Sequence, residues 1–177
     1  AQKIHKITGY SLLTAAGTCA YVEFIKDEFI SYIHDYQIES NDKQLSLAGQ
    51  AQLLRELIRI ISMSVDINSV FILAGYDFID KEFRIFEFDD LGGKYSVNQK
   101  QKVAAVGSGG EIATAIIKSN LDARKIVGLK LATSIAVEAI RQSAHQDPAS
   151  EPPILNKPTI FRIERKNIKL ILDSREK

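Results

Sequence analysis

Between Val22 and Tyr36 the apolar side chains Val22, Ile25, Phe29, Ile33 and Tyr36 recur at steps of three and four. That is the spacing of one helix face, and it predicts a helix from Thr18 to about Ile38 with Thr18 as its cap. A second stripe, Leu47, Ala51, Leu54, Ile58 and Ile61, predicts another helix beyond the polar turn Glu39–Lys43. Ser46 stands where the cap of that helix belongs. Ahead of both, Ala1–Ile7 reads as the end of a strand, Thr8-Gly9-Tyr10 as a turn and Ser11–Ala16 as a second strand.

Beyond the helices, Val70–Tyr76 is an unbroken apolar run of strand length, which predicts cover on both of its faces. Phe83–Phe88 and Lys102–Val106 predict two more strands, with a turn at Leu91-Gly92-Gly93 between them. A helix over about Glu111–Lys118 follows. Asp122 is the expected cap of a fourth, with the stripe Ile126, Leu129, Thr133, Ala136 and Ile140. All four prolines fall between Asp147 and Pro158, which predicts a loop. Thr159–Glu164 and Ile168–Leu172 form a hairpin across Arg165-Lys166-Asn167. The order of elements predicts an α+β fold, with helix pairs lying outside packed antiparallel sheets.

Composition narrows the partners. The 177 residues suit one domain, 1–177, with 45% hydrophobic and 25% charged residues and a net charge of +1. Such a balance gives no case for nucleic acid or an anionic membrane as partner. No apolar run is long enough to span a bilayer, and no charged-then-apolar leader precedes the first strand. Cys19 is the sole cysteine, which excludes an intrachain disulfide framework and fits a reducing compartment, so the expected setting is the cytoplasm.

Several stretches carry candidate chemistry. At Leu12–Cys19, LLTAAGTC, small residues sit at a strand-to-helix junction whose N–H groups suit a developing negative charge or an extended peptide. A tight turn with no ligand is the other reading. Gly107-Ser108-Gly109-Gly110 is a strand-to-helix turn rather than a nucleotide loop, because no Lys-Ser/Thr follows and Ile112 stands where a third glycine is needed. His5, His34 and His145 share no metal-ligand spacing, so neither metal nor cofactor is expected. Cys19, at a helix start whose dipole favours a thiolate, is either a nucleophile or a small packed residue. Lys3, between apolar neighbours, is either a desolvated amine or an edge lysine.

Together these blocks resemble a family. Lys3-Ile4, Leu13-Thr-Ala-Ala-Gly17-Thr18 and Val22-Glu-Phe24 are similar to the proteasome β subunits, particularly those of bacteria. So are Leu73-Ala-Gly-Tyr-Asp77, Phe86-Glu-Phe-Asp-Asp-Leu-Gly-Gly93, Val106-Gly-Ser-Gly109 and Asp147-Pro-Ala-Ser150, all in family order across nearly the whole chain. The resemblance implies a four-layer αββα sandwich and a self-compartmentalising peptidase that cleaves unfolded polypeptide in stacked rings. Its implied partners are identical or related subunits and an α-type ring or ATPase activator. A non-catalytic ring subunit and the related two-component ATP-dependent peptidase HslV are the alternatives. HslV also carries a GSGG turn, but the Leu-Ala-Gly-Tyr-Asp and Asp-Leu-Gly-Gly blocks favour the proteasome reading.

The resemblance also assigns roles. Lys3 looks like the active-site lysine that lowers the nucleophile's pKa, and is expected to be buried near Gly17. Gly17 resembles the glycine whose N–H helps form the oxyanion hole, and the Cys19 backbone would align substrate as an added strand. Ala15 would floor the pocket for a substrate side chain. Ser108, Asp147 and Ser150 look like the trio around the N-terminal amine. The family's nucleophile is an N-terminal threonine on a hairpin that precedes the lysine, with a buried aspartate. This sequence opens at Ala1, and Pro148 and Glu151 stand where small residues are common. Because a sandwich without central strands exposes unpaired edges, the expectation is a piece of a longer chain rather than an intact inactive subunit.

Overall fold

The computed structural model describes residues 3–96, 103–122, 128–147, 160–164 and 167–172. The chain divides into two compact units: Ala1–Val97 with Ile163–Ile168, and Asn98–Arg162 with Lys169–Lys177.

In the first unit, five antiparallel strands lie side by side in chain order: β1 (Ile4–Lys6), β2 (Ser11–Gly17), β3 (Ser69–Asp77), β4 (Glu82–Phe88) and β5 (Lys94–Ser96). Helices α1 (Cys19–Glu39) and α2 (Leu47–Ser62) connect β2 to β3. The period-two alternation of the strands decides what each face carries. Leu13, Phe71, Leu73, Phe86 and Phe88 meet Ile25, Phe29 and Ile33 of α1 and Leu47, Ala51, Leu54 and Ile58 of α2 in one buried core. Burying each of the large side chains stabilises the unit by about 1.5–3 kcal/mol. Leu12, Ile72 and Tyr76 alternate with that set, so the opposite sheet face is apolar too.

Polar side chains fix the helices to the sheet. Ser46 Oγ accepts from Gly49 N–H at 3.1 Å and caps α2 as its position predicts. The fully buried Asp77 carboxylate accepts from Ala48 N–H at 2.9 Å, a second anchor at the same positive helix end. Gln50, also fully buried, accepts from Ser11 Oγ at 2.7 Å and donates to the Tyr10 hydroxyl at 3.1 Å. The Tyr10 hydroxyl in turn donates to the Leu45 carbonyl at 2.6 Å. Asp89 Oδ1 closes the β4–β5 turn by accepting from Leu91 and Gly93 N–H.

The second unit pairs α3 (Gly110–Asp122) with α4 (Leu129–Gln146). A separate hairpin joins β6 (Ile160–Ile163) to β7 (Ile168–Leu172), with Glu164 N–H donating to the Asn167 carbonyl at 2.8 Å.

Five sequence expectations change. Residues 103–106 are not strand, and the strand after β4 is β5; small Ala104 and Ala105 run directly into the glycine turn instead of extending a sheet. Asp122 ends α3, and α4 is capped by Gly128 without a side-chain bond. The buried face of α4 is Ile135, Ala139 and Ser143, while Leu129 and Ile140 are exposed. Ile135 and Ala139 each precede a position of the expected stripe by one residue, which turns the buried face about a quarter of the way round the helix. Thr18 occupies the cap position of α1 but makes no capping bond through its side chain, and Tyr36 is exposed rather than core-facing. Ile126 and most of the proline segment lie outside the described residues.

Candidate active site

The strand-to-helix junction forms where β2 runs out at Gly17. Its backbone has φ +132°, and a Cβ there would lie 2.3 Å from the Asn68 carbonyl and 2.4 Å from Ser69 Oγ. Only glycine satisfies both the conformation and the space. Ser69, opposite Gly17 in the β2–β3 register, holds the turn through its hydroxyl. Ser69 Oγ accepts from Thr18 N–H at 3.0 Å and donates to the Ile67 carbonyl at 3.0 Å. The sequence carries no local sign of this role, since Ser69 lies 51 residues from the junction that it clamps.

Immediately past the clamp, α1 starts at Cys19. Tyr21 and Val22 N–H both donate to the Thr18 carbonyl, so the helix's hydrogen bonding begins beyond Cys19 and the positive end of α1 faces outward here. Cys19 is an exposed free thiol, in the first helical turn rather than in a strand. Ala15, two residues before Gly17, packs its methyl group partly buried against the helix-side core.

Lys3 departs from expectation. It is exposed rather than buried, because it precedes β1, the edge strand of the sheet. Its carbonyl accepts from Thr14 Oγ1 at 2.8 Å, which ties the Lys3 backbone to β2 next to the Ile4–Thr14 pair. Lys3 is thereby brought to the half of β2 that holds Ala15 and Gly17.

In the second unit, the Gly107–Gly110 turn carries Ser108 to the end of α4. Ser108 Oγ donates to Asp147 Oδ2. Asp147 is buried, and its N–H donates to the Ser143 carbonyl at 2.8 Å as α4 closes. Gly110 N–H donates to the Gly107 carbonyl at 2.9 Å and Ala113 N–H to the Gly109 carbonyl at 3.0 Å, so the turn merges into α3. Ser108 and Asp147, 39 residues apart, are therefore brought together. Ser150 lies outside the described residues.

The chemistry open to these groups is limited. Ser108 Oγ donates to a carboxylate rather than to an imidazole, so the pair lacks the arrangement that activates a serine for attack on a carbonyl. In general, N–H groups at a helix start can favour a developing negative charge, which helps a reaction only beside a nucleophile. Among the described residues no group of three or more His, Cys, Asp or Glu side chains suits a metal ion. Nor is any helix among them long and apolar enough to cross a membrane.

An α+β unit with a glycine-ended strand feeding a helix, and a separate glycine turn on an aspartate, describes a proteasome-type fold. The family described as "Proteasome subunit" matches residues 1–154. This chain belongs to the proteasome subunit family. It is similar to "Proteasome subunit beta" of Stackebrandtia nassauensis, with 30% identity over 98% of this chain and 63% of that protein. The protein of the same description from Acidimicrobium ferrooxidans is 30% identical over 96% of this chain and 61% of its own length. That of Methanocaldococcus vulcanius is 27% identical over 98% and 72%. The chain thus spans about three-fifths of the length of the first two relatives.

Proposed function

We propose that this chain is the body of a β-type proteasome subunit that hydrolyses peptide bonds in unfolded polypeptide, with an N-terminal threonine upstream of Ala1 as nucleophile. The observation that carries the reading is the family match across residues 1–154, in which Gly17, Ser108 and Asp147 stand within the blocks that carry the resemblance. In this reading the threonine amine acts as its own base, and Ser108, Asp147 and Ser150 hold that amine. Lys3 supplies positive charge beside the attacking oxygen. Gly17 N–H binds the oxyanion, the Cys19 backbone aligns the peptide and Ala15 lines the pocket for its side chain.

The proposed architecture is one domain with four layers, αββα. What supports it is the apolar sheet face of Leu12, Ile72 and Tyr76, which alternates with the helix-side core and needs a cover of its own. Rings of related subunits, an α-type ring or ATPase activator, and a cytoplasmic setting belong to the same proposal. Among the relatives reported, all described as proteasome β subunits, none favours the HslV alternative.

The test is Lys3→Ala in the complete protein. Hydrolysis of a fluorogenic peptide is expected to disappear while the thermal melt and circular dichroism stay unchanged, since Lys3 is exposed and supports no core. Unchanged turnover would remove Lys3 from the mechanism. A protein with no turnover even before the substitution, despite a free threonine amine, would be the non-catalytic ring subunit.

A further inference from the structure

Gly109 of the glycine turn lies close against Ser143 of α4. A Cβ built on Gly109 would lie 3.2 Å from Ser143 Cβ, 3.3 Å from Ser143 Oγ and 3.6 Å from Asp147 Oδ2. Ser143 is buried, and its hydroxyl donates back to the Ile140 carbonyl at 3.0 Å along its own helix. That bond fixes the side chain and leaves it meeting the turn by size alone, with no hydrogen bond to it. On its other flank the turn is locked to α3, through the Gly107 and Gly109 carbonyls. The distance from the turn to α4 is therefore set at Gly109 and Ser143; Ser108 is the residue next to Gly109, and Asp147, one helical turn beyond Ser143, donates its N–H to the Ser143 carbonyl.

We propose that the Gly109–Ser143 contact is a positioning device: two small residues let the turn seat against α4 so that Ser108 Oγ reaches the Asp147 carboxylate. Its relevance to catalysis rests on the peptidase reading above, whereas the contact itself does not. Ser143 is thus a positioning residue, acting through Ser108 and Asp147. A larger side chain at either place forces the turn and α4 apart by a few tenths of an ångström and weakens the hydrogen bond. Removing only the Ser143 hydroxyl does not, because the hydroxyl serves Ile140.

The experiment follows the Asp147 carboxyl carbon by NMR through a pH titration of the full chain. Ser108→Ala provides the reference for a lost hydrogen bond. A donor to the carboxylate favours its charged form, so losing that donor moves the midpoint upward. Gly109→Ala and Ser143→Val are each expected to shift the midpoint upward, in the direction of Ser108→Ala, and Ser143→Ala to leave it unshifted. The double variant Gly109→Ala with Ser143→Gly is expected to return to the unshifted midpoint, since the added methyl group then occupies vacated space. A Ser143→Val protein that fails to fold leaves Gly109→Ala and its rescue to decide. Midpoints unmoved by Gly109→Ala while Ser108→Ala moves them would overturn the proposal, as would a shift that the double variant fails to reverse. Because the readout is a carboxyl group and not turnover, a failure of the peptidase reading leaves this result intact, and the reverse holds equally.

Discussion

Gly17 illustrates how much one residue type settles at this junction. Its φ of +132° and the 2.3 Å approach of the Asn68 carbonyl leave no room for a side chain. Gly17→Ala is expected to destabilise the fold by at least about 2 kcal/mol, from strain and clash together, read as a lower urea midpoint with unchanged slope. A midpoint within error of the parent would mean that the strand end relaxes freely. Tyr10 is the residue that gives the fold a signature in alkali. Burial raises its hydroxyl above the ordinary value of 10.0, and the Asp77 carboxylate adds to the rise while the Thr8 and Gln50 side chains oppose it. Above about pH 10 the unfolded chain loses this proton first, so the native state binds more protons and stability falls as pH climbs through that window. Below it the group contributes no slope. Tyr10→Phe is expected to remove this component of the alkaline decline in urea-midpoint measurements, and an identical decline in the variant would assign it to other groups.

At the level of elements, the strongly periodic segments were readable in advance and the junctions between them only partly. The α1 and α2 stripes, the Ser46 cap, β2, β3 and β4 follow from spacing and turn residues, because one face of each was committed to a core. The closing hairpin follows from two short β-rich runs on either side of a turn. The α4 face was not readable: Ser143 and Ala139 are small, so the residues that α4 buries carry little apolar signal, whereas Leu129 and Ile140 advertise a face left exposed. Residues 103–106 misled for a related reason, since a short apolar run fits a half-buried connection as well as a strand. Of the candidate site, Gly17 was legible from the small-residue junction. The Ser108–Asp147 pair was legible only through the family resemblance, and Ser69, Thr14 and Ser143 not at all, because their partners are distant in sequence or are backbone atoms. Two of the blocks that carry the resemblance turn out to be framework. Asp77 anchors the start of α2 and Asp89 closes the β4–β5 turn, so both carboxylates hold the fold through backbone N–H groups.

For the whole molecule, the outer surface of α1 sets the expectation. Phe24, Tyr32 and Tyr36 are 51%, 50% and 40% exposed along that helix, more apolar surface than an isolated helix face needs. The complete protein is expected to form a large closed assembly with cyclic symmetry in each ring, and light scattering at micromolar concentration checks it. A monomer alone would contradict the ring proposal. The central claim, that a threonine amine and not this chain's own side chains performs the attack, is tested most directly by one peptidase assay. Residues 1–177 and the complete protein, with the proposed N-terminal threonine exposed, are compared on fluorogenic peptides, each with and without a thiol blocker. The account predicts no turnover by residues 1–177, and turnover by the complete protein that the blocker leaves unchanged. Turnover by residues 1–177 that the blocker abolishes would contradict it and make Cys19 the nucleophile.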